Sequence, residues 1–559
     1  MRRYSTGALT PSHREEQEKL YKENHVYDYV IVGSGMSALS VSALLANAGY
    51  KVCILEVHDV AGGYAHTYSM NGYSFCAQVH YIWGCAPGQM VYEFLKHLEL
   101  EKEIKFVPFD PDGYDHMTLP DGKTVKIPYG YRKLIDNIES AYPGQRSSLQ
   151  RFISLLEEFE REIQLIPKDS LHWWQKMQGA LKCLTLLRSR YKTLQNVFEE
   201  CKLSREAQAI LSANTGDFMS PPEELSIFPY VGLFSGYNKG AYYPEKHFKF
   251  FVDRLTEFIT DHDGCHIYYE TEVTGIHLAK DRIEKVSCRN GKEFKADKFI
   301  CNMDPQKASH LIGRDKFPKK TLHSVSYKYS PSSLMIYLGI KDIDLRDYGF
   351  GNHNTWHLEQ WNINQAWKEM RNNCYDQPWL FLSTPTFHTP VGGVAPDGCQ
   401  ILEIGTLANF EFFEKLYNED PHAYRVEKRE LSNRLLKIVE EKYIPDLSKH
   451  IALKVIGSPV TNETFCFAPF GNCYGSELTP EYMGLDRLAS ETPWDNFFWC
   501  NASSGYASVF GTITTGSRLY SKLTGDQFYL PENAPSTEEA INYANRLWNE
   551  TWQQKSSLV

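Results

Sequence analysis

The chain has 559 residues, 42% hydrophobic and 23% charged, with 59 Lys and Arg against 69 Asp and Glu for a net charge of −10. This composition supports a large core, excludes a disordered chain, and leaves no broad basic field for nucleic acid. No run approaches the roughly 20 apolar residues of a membrane span, and no metal-binding or disulfide spacing links the 13 scattered cysteines, which fit a reducing compartment.

In chain order, residues 1–25 read as a polar lead-in with helical character at 15–23. They lack the apolar h-region of a secretory signal, so a cytoplasmic protein is expected. Residues 27–32 read as a buried strand, 37–47 as a helix of small residues and 51–56 as a second strand. From Leu149 the apolar residues Leu149, Phe152, Ile153, Leu156, Phe159 and Ile163 fall at helical spacing, and helical character continues to about 215. A helix over 248–260, strand-like pieces at 267–269 and 273–277, a hairpin turn at 289–292 and a strand at 298–301 follow. Strands are expected at 334–340, 379–383 and 401–406, and a helix at 423–443. The chain ends with a strand at 497–500, a helix from about 511, and a last helix behind the capping box Ser536-Thr537-Glu538-Glu539.

Gly33-Ser34-Gly35-Met36-Ser37-Ala38 is G-x-G-x-x-A between the first strand and its helix. Gly33 permits the tight turn, Gly35 lets backbone approach a pyrophosphate at the helix N-terminus, and Ala38 lets helix and strand pack closely. Glu56 ends the second strand, where a carboxylate can accept hydrogen bonds from ribose hydroxyls. Strand, turn, helix, second strand and acid in register predict dinucleotide binding.

The glycine pair in Ala61-Gly62-Gly63-Tyr64-Ala65-His66-Thr67 resembles the second fingerprint of the amine-oxidase and phytoene-desaturase flavoproteins. Further segments are similar to the retinol-saturase, carotenoid-isomerase and phytoene-desaturase-like branch of that superfamily. They include Gly72-Tyr73-Ser74-Phe75, His80-Tyr81-Ile82, Thr193-Leu194-Gln195-Asn196-Val197-Phe198, Gly216-Asp217, Pro221-Pro222, Gly240-Ala241-Tyr242-Tyr243-Pro244, Ala395-Pro396-Asp397-Gly398, Gly471, Tyr474-Gly475 and the C-terminal stretch 497–516.

The resemblance implies an α/β chain: a discontinuous Rossmann-type FAD-binding domain at about 26–100, 240–310 and 480–525, and an α+β substrate domain at 101–239 and 311–479. The substrate domain has a helical insertion at about 148–215, and 526–559 forms a C-terminal helical tail. Non-covalent FAD would be held by Gly33, Ser34, Gly35, Met36, Ser37, Ala38, Glu56, Gly62, Gly63, His66, Gln78, Val79, His80, Val273, Ser503, Val509, Phe510 and Gly511.

The chain departs from the family pattern in several places. Glu245-Lys246-His247 stands where a basic residue and two glycines are usual, Asn501 and Ser503 where a glycine and an acid are usual, and Cys76 where an Asp is common.

His66, His80 and Tyr506, with the loop 245–247, are expected to surround the flavin's reactive edge, a histidine either passing a proton or positioning the substrate. The implied reaction acts on carbon–carbon double bonds of a long apolar polyunsaturated lipid by hydride transfer at flavin N5, leaving desaturation, saturation and isomerisation open. A flavin amine oxidase and a non-catalytic flavin- or lipid-binding protein are the alternatives. Residues 171–192 join Trp173, Trp174, Lys176, Lys182, Arg188, Arg190 and Lys192 to an apolar face of Met177, Ala180, Leu181, Leu184, Leu187 and Tyr191. That pattern suits peripheral contact with an anionic membrane, or an amphipathic cover over the substrate domain.

Overall fold

A computed structural model describes residues 9–23, 25–164 and 183–553. Its architecture is α/β. A parallel five-stranded sheet runs in the order His266–Tyr268, Val52–Leu55, Tyr27–Val32, Ala296–Cys301, Phe497–Trp499. The central strand YDYVIV is buried at every position but Asp28, as expected for a parallel strand covered on both faces. These strands come from four distant stretches of chain, so the Rossmann-type unit is discontinuous.

Helix Met36–Asn47 crosses behind the sheet and buries every residue from Met36 to Ala46. Its serines and alanines admit helix Val509–Thr524 at close range: a Cβ on Gly516 would lie 2.6 Å from Ser37 O and 2.9 Å from Ser40 Cβ. A glycine at 516 is what lets the C-terminal segment seal the cofactor end of the fold.

The second unit is built on a seven-stranded sheet, ordered Ile451–Gly457, Ser332–Ile340, Gln400–Ala408, Trp379–Ser383, Asn354–Leu358, Asp115–Thr118, Thr124–Ile127. Neighbours pair antiparallel except Asn354–Leu358 with Asp115–Thr118, which run parallel and set Asn354 opposite Asp115. Helices Arg146–Gln164, Leu184–Ser189, Leu194–Cys201, Arg205–Ser212 and Ile227–Asn238 supply its helical part. A three-stranded antiparallel sheet, Val273–Ala279, Arg282–Cys288 and Glu293–Phe294, contains the expected turn, with Gly291 at φ +81°. Among the described residues no helix is long and apolar enough to cross a membrane.

Several expectations shift. The N-terminal helix is Pro11–Leu20 rather than 15–23, because Thr10 caps it and Pro11 opens it. It is docked, not loose: Gln17 Nε2 donates to Tyr269 O at 3.0 Å, and Tyr21 and Thr271 hydroxyls meet at 2.6 Å. The helix expected from 511 starts at Val509, where Ser508 accepts from Gly511 N. Strands 115–118 and 354–358 escape the sequence reading because polar residues in them read as surface, yet Asp115, Asn354 and His357 are buried; strand 451–457, also missed, is a sheet-edge strand with no buried position. Residues 171–182 of the basic amphipathic stretch lie outside the described residues.

Candidate cofactor and substrate site

Two glycine turns meet at the carboxyl end of the parallel sheet. Gly33 follows the first strand at φ +97°, and its N–H donates to Leu55 O at 2.8 Å. Gly62, at φ +111°, donates to Ser34 O at 2.9 Å, and a Cβ on Gly63 would come within 3.3 Å of Gly35 Cα. No side chain caps helix Met36–Asn47 at Gly35. Its N-terminus, with the positive end of the helix dipole, is left to the cavity beside Met36 and Ser37. Asn302 clips this turn: Oδ1 accepts from Gly35 N at 2.8 Å, while Nδ2 donates to Ser37 Oγ at 2.9 Å and to Cys500 O at 2.6 Å. The buried Glu56 carboxylate accepts from Ser34 N at 2.8 Å, Ser34 Oγ, and His58 N at 2.7 Å. An uncapped helix start, a backbone cradle without side chains and a carboxylate at the second strand's end together fit a dinucleotide.

A single cavity of about 1250 Å³ runs from this cradle into the second unit. Its far wall is apolar and aromatic, with Met219, Leu233, Tyr237, Trp356, Trp379 and Phe381. That volume exceeds the roughly 300–1,000 Å³ of an ordinary small-ligand site, so it has room for more than one molecule. Gly216 lies so close under Trp379 that a Cβ would meet the indole at 2.0 Å.

The cavity brings together Gly33, Ser34, Gly35, Met36, Ser37, Glu56, Gly62, Gly63, His66, Gln78, Val79, His80, Val273, Ser503 and Val509. His66 is buried with Nδ1 2.6 Å from Gly63 O, and burial lowers its pKa to about 4, so the ring is neutral near pH 7 and donates to that carbonyl. His80 Nδ1 lies 2.9 Å from Oε2 of Glu403, whose wholly buried carboxyl burial holds above its ordinary range. The next residue, Tyr81, hydrogen-bonds Asp217, also on the cavity wall.

Other expected residues lie elsewhere. Ala38 is packed inside the helix, Phe510 stacks on Trp83 at 4.8 Å, and Gly511 N donates to the capping Ser508 Oγ at 3.0 Å. Tyr506 is 46% exposed, takes a hydrogen bond from Arg518 and does not line the cavity; its backbone N–H is held by Thr515 Oγ1 at 3.1 Å. The loop 245–247 is also off the cavity. Glu245 N donates to Lys105 O, and His247 is buried at φ +72° at the start of its helix, its pKa lowered to about 4 by burial.

The family departures have local explanations. Asn501 Oδ1 accepts from Ser503 N at 3.1 Å and Ser504 N at 3.0 Å, and Ser503 Oγ accepts from Ser476 N at 3.0 Å. Cys76 is buried, its thiol pushed up to about 12 by desolvation. Sequence reasoning missed Asn302, Glu403, Asp115 and Trp356 altogether, and took Tyr81 and Asp217 only as parts of family motifs. The pairing of distant strands creates their roles, and no local pattern marks it.

Residues 31–98 match the model of an NAD(P)-binding Rossmann-like domain. The chain is 23% identical over 538 residues to all-trans-retinol 13,14-reductase of Danio rerio, covering 89% of this chain and 86% of that one. It is 26% identical over 496 residues to the chloroplastic prolycopene isomerase of Arabidopsis thaliana, covering 86% and 79%. Among solved structures, a putrescine oxidase bound to putrescine aligns with a TM-score of 0.60 at 13% identity, covering 89% of this chain and 99% of that one. An oxidoreductase from Methanosarcina mazei aligns at 0.57 and 16% identity, covering 88% and 99%. Along most of its length the chain is thus similar to retinol 13,14-reductases and prolycopene isomerases, and it shares the fold of the solved oxidase and oxidoreductase.

Proposed function

We propose that the chain binds FAD non-covalently and acts on carbon–carbon double bonds of a long polyene lipid. The observation that carries this is the single cavity joining the glycine cradle to the aromatic wall of Trp356, Trp379 and Phe381. Bound FAD would supply two-electron hydride exchange through its N5. The helix start at Met36 would face its pyrophosphate and Glu56 its ribose, while Val273 and Ser503 line the same trough. The aromatic wall excludes water and holds an extended apolar chain by burial.

In this reading His66 and His80 position the substrate. His66 is neutral and commits its Nδ1–H to Gly63, which leaves it a poor proton donor near pH 7. His80 is fixed in orientation by Glu403. The cofactor unit is assigned to 26–100, 240–310 and 480–525, and the lipid unit to 101–239 and 311–479, with flanking segments 1–25 and 526–559. Exposed Leu184, Leu187 and Tyr191 beside Arg188, Arg190 and Lys192 support a peripheral contact with the cytoplasmic face of a membrane.

The test is anaerobic mixing of the flavin-loaded protein with all-trans-retinol and with a poly-cis carotene. Flavin bleaching or recolouring marks net redox, and product without a colour change marks isomerisation. No change in any polyene refutes the reading.

A further inference from the structure

Beside His80 the cavity wall holds a second proton-binding group. The Tyr81 hydroxyl lies 2.7 Å from Asp217 Oδ2 and 3.3 Å from Asp115 Oδ2. One hydroxyl proton cannot fully serve two carboxylates, and two carboxylates sharing a buried site do not both ionise near neutral pH. Asp115 is 1% exposed, and its Oδ1 has no hydrogen-bond partner among the described residues. Trp356, 2% exposed and on the cavity wall, turns its indole N–H toward Asp115, as Asn354 does its amide, without closing a hydrogen bond.

The titratable groups facing the pair are Tyr81, Tyr114, Tyr129, Tyr237 and Tyr474, all neutral at pH 7. Tyr237 lies flat on Tyr81 with ring centroids 4.0 Å apart. Burial pushes Asp217 up to about 7, and burial with the Asp217 charge holds Asp115 well above the carboxylate range. An acid that titrates near the working pH is the kind suited to proton donation.

We propose that Asp217 and Asp115 hold one shared proton through Tyr81, and that Asp217 delivers it to the lipid as the general acid for saturating one double bond. This rests on the proposed function and gives it a direction. Bound reduced FAD would supply the hydride that forms one C–H bond across the π bond, and would itself be left oxidised. The Asp217 O–H bond breaks as the second C–H bond forms on the adjacent carbon. The resulting Asp217 carboxylate is reprotonated from Asp115 through Tyr81, and the pair refills from solvent.

Two measurements on the holoenzyme test this. Infrared difference spectra across pH, in H2O and D2O, should show a protonated carboxyl band that shifts in D2O and titrates near neutrality. That band should vanish in Asp217→Asn and titrate at a shifted pH in Asp115→Asn, since burial still holds Asp217 up. Anaerobically reduced enzyme given all-trans-retinol in D2O should place one solvent deuteron in each saturated product. Asp217→Asn should slow this turnover roughly 10²–10⁴-fold, with retinol binding and FAD content retained. Tyr81→Phe, which removes only the bridge, should displace the alkaline limb of the pH profile, where the general acid loses its proton, and it serves if the Asn variants fail to fold.

A missing carboxyl band, near-normal reduction by Asp217→Asn, or an unchanged pH profile in Tyr81→Phe would overturn the proposal. Isomerisation of the polyene without deuterium uptake overturns it while leaving the polyene reading intact. A wild type that alters no polyene overturns both.

Discussion

Gly35→Ala isolates one contact. Gly35 sits at φ −63°, where alanine is at ease, so any effect must come from space rather than backbone strain. An added Cβ would lie 2.6 Å from Asn302 Oδ1, a distance real Cβ atoms do not tolerate. Asn302 must therefore move, and it is held by three hydrogen bonds, from Gly35 N and to Ser37 Oγ and Cys500 O. At roughly 0.5–1.5 kcal/mol each, losing them costs about 2–4 kcal/mol of loop order. If that loss falls on cofactor binding, FAD affinity drops roughly 30- to 1,000-fold, at about 1.4 kcal/mol per decade. Titrating apoprotein with FAD by flavin fluorescence measures it. Asn302→Ala removes the same three bonds, so the double variant should bind about as well as Asn302→Ala alone. Wild-type affinity in Gly35→Ala, or a double variant that loses the sum of both single effects, would refute the reasoning.

Glu56→Ala should weaken FAD by about 1–3 kcal/mol, and because Glu56 also ties down Ser34 and His58, amide exchange at 33–35 should rise with it; unchanged affinity and exchange would contradict this. His66→Gln and His80→Gln should lower turnover less than Asp217→Asn and appear partly in KM, as positioning residues do; a 10³-fold fall in kcat alone in either would assign it the proton instead. Acid stability should fall between about pH 6.5 and 4, because burial holds His353 at about 4 and His388 at about 3. The folded state binds fewer protons than the unfolded one in that window, so this stabilisation is complete above pH 6.5 and is lost as pH drops. Asp217, raised to about 7, pulls the slope the other way. His353→Gln should still remove one histidine's share, about 1.4 kcal/mol per pH unit, from urea unfolding measured across the window, and an unchanged slope would count against its neutral burial.

What the sequence displayed of this site was its local part. Strand, glycine turn, helix start and Glu56 fall within thirty residues, and each carries its own chemical signature, so the cradle could be read directly. The substrate end could not. Asp115 and Asn354 are 239 residues apart in the chain and become neighbours only because their strands pair in parallel register. Glu403 meets His80 because strand Gln400–Ala408 is an interior strand, third of seven, in a sheet whose members come from five stretches of chain. A lone polar residue in an apolar run looks like an exposed position until the pairing is known. Tyr506 is the opposite case: the family resemblance drew it toward the flavin, and the structure leaves it 46% exposed, off the cavity.

The family departures in the C-terminal loop bear on the rival reading, a flavin- or lipid-binding protein without catalysis. A decayed loop would leave its polar groups without partners. Here Asn501 accepts from the two backbone N–H groups that follow it, and Ser503 is pinned by Ser476 N. Beneath them Arg487 donates to the carbonyls of Ala502 and Gly505 and to Ser476 Oγ, and desolvation lowers its pKa to about 10. The guanidinium stays charged at that value, and its bonded acceptors are neutral oxygens. A charge buried in that way costs several kcal/mol unless something uses it, and a loop held this tightly around it has been rebuilt rather than abandoned. Asn501, Ala502 and Ser503 all line the cavity, so the rebuilt loop faces the trough that the proposed flavin would occupy.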